Sequence, residues 1–346
     1  MQATLTEQQE LIVESVGRMT DGGINKAQGV LKGESWPSDP DSTLLQDWVG
    51  LGVPEDMGGA GGGLLDLALV LKTLALRIVP NKFSKHAIAM QVAMTAGLPM
   101  ADALSGNSRW CLAVAEQSAD PFGPFQGKSD GDAITAEKNG VLHGADADLA
   151  VVVLDDNLVA LAQASSIDSA SSTDPLNPCA SLSFKASTSK GVAPGAQKGL
   201  MRATALIAAD LCGVAQGAID LGASYAKERV QFGKPIGIYQ GVAHQLANAV
   251  VAAETAWSLT LYACWALDND SDDAERAVHA AKAKASEAAV FSAERALQVH
   301  GGMGMTWEAS PHLFLRRALA GSAFLGGAHW HRRTLGATIL KQHHKT

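Results

Sequence analysis

The sequence predicts an α+β protein, mainly α, in three parts: an N-terminal helical domain over 1–108, a small middle β-domain over 109–197, and a C-terminal four-helix-bundle domain over 198–346. Three observations carry this. Alanine-rich stretches free of proline run from about Met201 to Glu228, Gly241 to Leu267 and Asp272 to Val299. Alanine has the best helix propensity, and long helices of this kind pack antiparallel into bundles. Between 109 and 197, short apolar runs with β-branched content replace them. Ahead of these, apolar residues recur at helical spacing.

In chain order, Leu5, Leu11, Ile12, Val16 and Met19 mark a first helix, opened by the capping box Thr6-x-x-Gln9. Leu44, Leu45, Trp48 and Leu51 mark a short second one. Gly58–Gly63 is too glycine-rich for a helix and is either a flexible connector or a loop leading into a helix over Leu64–Arg77. His86–Ala96 is a further apolar helix. Strand candidates are Trp110–Ala115, Leu149–Leu154, Leu158–Ala162 and Leu182–Phe184. Asn139-Gly140, Asp155-Asp156-Asn157 and Pro175–Pro178 punctuate them as turns. The serine-rich Ser165–Thr173 is expected to be a mobile loop. In the last long helix, Lys282, Lys284, Glu287 and Glu294 fill the polar positions.

At 346 residues the chain is long enough for two or three packed units. Lys plus Arg is 27 against 35 Asp plus Glu, so the net charge is −8, which argues against nucleic acid as a partner. Four scattered cysteines without a Cys-x-x-Cys read as thiols in a reducing compartment. Met1–Arg18 carries Glu7, Glu10 and Glu14 and has no signal-peptide pattern. No apolar run long enough to span a membrane escapes interruption by charge; Ala203–Ile219 comes nearest, with Asp210 in its middle. The expectation is a soluble cytoplasmic protein.

The stretch Arg229-Val230-Gln231-Phe232-Gly233-Lys234-Pro235-Ile236, with Tyr239-Gln240, separates two of the long helices. Proline cannot continue a helix and glycine relaxes the backbone. An arginine beside an aromatic on such a corner suits a planar or phosphorylated ligand, because guanidinium binds phosphate through two parallel bonds. The residues alone leave open a charged surface turn with one buried Phe. The run Arg229-x-x-Phe232-Gly233-x-Pro235-Ile236-x-x-x-Gln240 resembles the turn by which acyl-CoA dehydrogenases touch the FAD of a neighbouring subunit. Gln298-Val299-His300-Gly301-Gly302-Met303-Gly304 is similar to that family's Gln-x-x-Gly-Gly-x-Gly, and Gly50–Gly61 followed by Leu65–Leu71 is a third match in the family's order. The resemblance covers the whole chain. It implies the helix–sheet–helix fold, FAD as cofactor, and a neighbour-facing set of Arg229, Gln231, Phe232, Gln240, Gln298, Gly301 and Gly302.

The chain also departs from the family. Its members use a glutamate to take the α-proton of an acyl-CoA thioester, a step that needs a base within hydrogen-bonding reach. Counting from the glycine motif puts that position at Leu325; the minority position, before the Arg turn, falls on Ala203. No catalytic residue is therefore assigned. The family's flavin-lining Trp-Ile-x-x-Gly run is absent from Asn139–Asp148, and Glu116-Gln117-Ser118 replaces a Thr-Glu-Pro-like segment. The resemblance then implies a subunit inactive alone, paired with a homologous chain that carries the base in an α2β2 heterotetramer. The substrate would be a steroid side-chain acyl-CoA and the acceptor an electron-transfer flavoprotein. Two other classes stay open: a flavin-dependent monooxygenase on the same fold, and a non-enzymatic assembly protein.

Among the remaining polar residues, His329, His331, His343 and His344 do not form a metal site: His329 and His331 face different sides of a helix and cationic neighbours repel a metal. Asp210 is expected to be a satisfied polar residue at a helix–helix contact. His300 either packs or touches the flavin diphosphate. Trp257, Trp265 and Trp330 read as core or interface anchors.

Overall fold

The computed structural model describes residues 4–34, 44, 46–117 and 120–343; Leu45, Ser118 and His344, with the side chains beyond Leu340, lie outside the described residues. The helices are α1 (Glu7–Met19), α2 (Gly23–Leu31), α3 (Leu64–Leu76), α4 (Phe83–Thr95), α5 (Ala101–Leu104), α6 (Ala196–Glu228), α7 (Gln240–Asp268), α8 (Ala274–His300), α9 (Pro311–Ala323) and α10 (Ala328–His343). The strands are β1 (Trp110–Ala113), β2 (Lys128–Asp130), β3 (Ala133–Leu142), β4 (Leu149–Val153), β5 (Leu158–Ala162), β6 (Ser166–Ala170), β7 (Cys179–Pro194), β8 (Val230–Gln231) and β9 (Lys234–Pro235). Helices thus precede and follow a sheet, as the pattern of the sequence predicts. Two compact units emerge, one of Met1–Trp36, Ala68–Val79 and Ala205–Thr346, the other of Pro37–Leu67 and Pro80–Thr204.

The second unit is built on the sheet β1-β4-β5-β7-β3-β2, with β6 added to β7. β1 and β4 are parallel and the other pairs antiparallel. The long β7 pairs with β3 and β6 through its first half and with β5 through its second. Cys111, Ile134, Val152, Leu182 and Phe184 pack together in its core. Asp156 and Asn157, both at positive φ, close the β4–β5 hairpin, so that turn stands as expected.

Two expectations here are corrected. Ser165–Thr173 is not a loop: Ser166–Ala170 pairs in register with Cys179–Ser183 of β7. Its five residues are exposed, so the backbone ladder holds it without any apolar pattern for a sequence reading to detect. Asn139-Gly140 is not a hairpin turn either. It lies inside β3 as an irregularity between Lys138 and Val141, with Gly140 at φ +61; a bulge uses the same residue types as a turn.

Gly58–Gly63 is ordered, not a loose connector. The amide of Gly61 donates to Val53 O and that of Gly52 to Gly61 O, both at 2.9 Å. A Cβ at Gly59 would stand 2.1 Å from Val53 O, so only glycine permits this approach. Gln91 from α4 donates to Gly52 O at 2.8 Å and accepts from Arg202 Nε at 2.8 Å.

In the first unit α8 lies at the centre, packed by α7, α9 and α10. The capping box of α1 is formed: Gln9 N–H donates to Thr6 Oγ1 and Thr6 N–H to Gln9 Oε1. Ile12 and Val16 are buried, but Leu11 is 55 % exposed; one residue along a helix turns it off the apolar face. Asp210 meets Arg317 in a buried two-bond ion pair, Nη2 at 2.5 Å and Nε at 3.2 Å, so it is satisfied as expected. Lys282 departs from expectation: it is not on a polar face but fully buried. By length and composition α6 could cross a membrane, but 83 % of its apolar window is buried within the protein.

Candidate functional site

Arg229 follows the last turn of α6. Its amide donates to Tyr225 O at 2.9 Å, and Arg229 O accepts from Ile236 N at 2.8 Å. Between these bonds β8 and β9 form a minimal hairpin, Val230 opposite Pro235 and Gln231 opposite Lys234. Its two-residue loop is Phe232-Gly233, at φ +54 and +77. Both loop residues of such a turn need positive φ, which suits Asn-Gly and strains a bulky side chain. Phe232 is nevertheless there, 92 % exposed, which overturns the buried-Phe reading. Tyr239 braces it, with its hydroxyl donating to Gln231 O at 3.2 Å and its ring edge-on to Phe232 at 6.4 Å.

The glycine motif is brought alongside by a ring stack that sequence reading missed. Tyr225, one turn before Arg229, stacks on His300 at 4.1 Å. His300 is mostly buried and its Nδ1 lies 2.7 Å from Ala296 O. A carbonyl only accepts, so Nδ1 carries the proton. Burial lowers the His300 pKa, keeping the ring neutral: it packs, and its packing places Gly301. Gly301 has φ +60, and nothing lies within 4 Å of a Cβ built on Gly301 or Gly302. Gly304 differs, since its Cβ would meet Leu297 O at 2.8 Å. The first two glycines therefore face open space, where a ligand backbone-close to the chain would fit. Arg229, Gln231, Gln240 and Gln298 are also exposed. One cationic fork, three amides and bare glycine backbone are a donor set suited to a dinucleotide diphosphate.

At the positions where the resemblance expects a base, Leu325 is 4 % exposed and Ala203 is fully buried. Leu325 sits at φ +53 in a turn pinned from beneath. Lys282 Nζ donates to Gly326 O at 2.9 Å and Ser322 O at 3.0 Å, and His331 Nε2 to Leu325 O at 2.9 Å. His331 Nδ1 faces His279 Nδ1 at 2.7 Å. Since His331 donates through Nε2, its Nδ1 is bare when neutral and accepts from His279. Burial brings Lys282 down to about 7, and burial with the nearby Lys282 and His279 brings His331 down to about 3. His331 is thereby engaged by backbone and His279.

In the sheet unit, Glu116 turns inward. Its carboxylate accepts from the amides of Gln126 and Gly127 at 2.5 and 3.0 Å and from Lys138 Nζ at 2.6 Å. Lys138 also donates to Val114 O at 3.2 Å and lies 5.0 Å over Phe125. Burial lowers the Lys138 pKa while Glu116 opposes the shift. In the region without the Trp-Ile run, His143 pairs with Asp146 at 3.2 Å and Lys82 with Asp146 at 3.5 Å. No Phe, Tyr or Trp occurs in Asn139–Asp148.

A family model described as the C-terminal domain of acyl-CoA dehydrogenase matches residues 193–340. Over 280 residues the chain is 32 % identical to the acyl-CoA dehydrogenase IpdE2 of Mycobacterium tuberculosis, covering 80 % of this chain and 79 % of that protein. It is also 32 % identical over 301 residues to acyl-CoA dehydrogenase FadE34 of the same organism; this is 84 % of this chain but 40 % of FadE34, so the chain spans less than half of that relative. Among solved structures, a variant of the Tcur3481–Tcur3483 steroid ACAD superposes with a TM-score of 0.86 at 26 % identity, over 98 % of this chain and 99 % of the other.

Proposed function

The chain belongs to the acyl-CoA dehydrogenase family, and from this premise we propose that it is the base-free subunit of an FAD-dependent acyl-CoA dehydrogenase made of two unlike homologous chains. FAD, the cofactor of the family, supplies the hydride acceptor for α,β-desaturation of an acyl-CoA thioester. Removal of the α-proton falls to a carboxylate, and neither Leu325 nor Ala203 can accept a proton. The observation that carries the proposal is this contrast: both base positions are apolar and buried, while all seven neighbour-facing residues are open to solvent.

In this reading Arg229 holds the diphosphate of FAD bound by the partner, Gln231, Gln240 and Gln298 add amide contacts, and Gly301 and Gly302 let the backbone come close. Phe232 is an apolar anchor against the partner. The inward-turned Glu116 and the missing aromatic run leave this chain's own side without a ring seat, so the partner provides seat and base. The two proteins named together in the steroid ACAD structure support an assembly of unlike chains and a steroid-type substrate; the assembly would be an α2β2 heterotetramer and the substrate a steroid side-chain acyl-CoA. FadE34, more than twice as long as the matched region, has room for a second such unit in one polypeptide. The electron acceptor would be an electron-transfer flavoprotein, and four free thiols suit the cytoplasm.

Co-expression tests this. The chain purified alone should carry little FAD and no dehydrogenase activity; with a homologue bearing the glutamate, both should appear together. Full flavin occupancy and turnover by a homo-oligomer of this chain would overturn the proposal.

A further inference from the structure

Helices α1, α3 and α7 line a solvent-open pocket of about 580 Å³ in the first unit, within the size range of small-molecule sites. Leu5, Val13, Leu69, Leu76 and Trp257 give it apolar walls. Its charged lining is mostly self-compensated: Arg18 pairs with Glu14 at 2.8 Å and Arg77 with Asp21 at 3.0 Å. Lys72 is the exception. Its ammonium stands 4.1 Å over the Trp257 ring, and among the described residues no acceptor takes a hydrogen bond from it. Burial is the largest effect on it and lowers its pKa, while Cys212, Glu254 and Asp220 lie near enough to oppose the shift. A partly buried ammonium with three donors and no acceptor is costly.

We propose that this cavity binds an amphipathic monocarboxylate, its carboxylate on Lys72 and its aliphatic body along Leu5, Val13, Leu69 and Leu76. The ring beneath Lys72 keeps the ammonium in place by cation–π attraction while leaving its donors to the ligand. A neutral chain of the same length would gain the walls but not the ion pair, and a second cation would be repelled. None of the flavin-facing residues lines the cavity, so the site does not depend on the assignment of the dehydrogenase role.

Titration calorimetry of the full chain with octanoate and with octanol tests it. Octanoate should bind at least tenfold more tightly than octanol. Lys72→Met should bring octanoate down to the octanol level, and Val13→Trp, which fills the cavity from α1, should abolish both. Octanoate affinity should also fall at alkaline pH as Lys72 loses its proton. Absence of octanoate binding to the wild-type chain, equal binding of acid and alcohol, or a Lys72→Met variant that keeps the preference would each overturn the proposal. The acid-to-alcohol comparison is read on the wild-type chain and needs no variant to fold.

Discussion

Phe232 adopts a left-handed backbone with almost all of its surface in solvent. A residue held there costs on the order of 1–3 kcal/mol, and the hairpin would form more easily with asparagine, since Asn-Gly is the preferred pair for such a loop. Phe232 buries almost none of its surface within the chain, so its place in this turn would be accounted for by an external contact. Phe232→Asn should therefore raise the melting temperature of the isolated chain, by about 2 °C if about 1 kcal/mol of strain is relieved. In the co-expressed complex it should lower retained FAD several-fold. Scanning fluorimetry and flavin absorbance read the two effects, and a complex that keeps its full flavin would remove Phe232 from the interface. The type and spacing of Arg229, Phe232 and the glycines are visible in the sequence. The Tyr225–His300 stack that joins the two motifs is not, because stacking depends on how α6 and α8 pack and leaves no local pattern.

The turn from Ser322 to Gly327 shows what one element can hide. Its sequence shows only an apolar Leu325 where the resemblance expects a glutamate; Lys282 and His331 support it from beneath, and Lys282 reads from its helix as a surface lysine. Three basic groups are buried there, and burial disfavours their charged forms. His331 titrates at about 3 in the fold against 6.5 ordinarily, and Lys282 at about 7 against 10.5. In both cases the unfolded chain takes up the proton first as pH falls. The stability from His331 is thus fully present above about 6.5 and lost progressively towards 3; that from Lys282 is lost between 10.5 and 7. Acid denaturation followed by circular dichroism should show His331→Gln losing less stability than wild type between pH 7 and pH 4, since glutamine can still donate to Leu325 O without titrating. An acid limb unchanged by the substitution would show that the cluster does not govern it. The same contrast runs through the other elements. Long apolar helices and the Asp155–Asn157 turn are legible because their signals are local, whereas β6 is held by ladder bonds to β7 and carries no period of its own.

For the molecule as a whole, the exposed large apolar side chains among the described residues include a group near the two motifs and along α7: Val230, Phe232 and Ile238, then Met303, Met305 and Trp307, with Val250 and Val251. Scattered surface hydrophobics are ordinary, but a run of them beside exposed glycine backbone and an arginine is the composition of an interface. The net charge of −8 sets a general repulsion against non-specific self-association. If the surface belongs to a partner, polar substitution should leave the isolated fold untouched and weaken only the assembly. Met305 and Val251 are suited to this, being 74 % and 66 % exposed. Surface changes of this kind alter folding stability by no more than about 0.5 kcal/mol. The double variant Met305→Gln, Val251→Thr should therefore melt with the wild type, yet recover several-fold less of the glutamate-bearing homologue in co-purification. Equal recovery would place the partner elsewhere. A drop in melting temperature together with recovery would instead make the two side chains part of this chain's own packing.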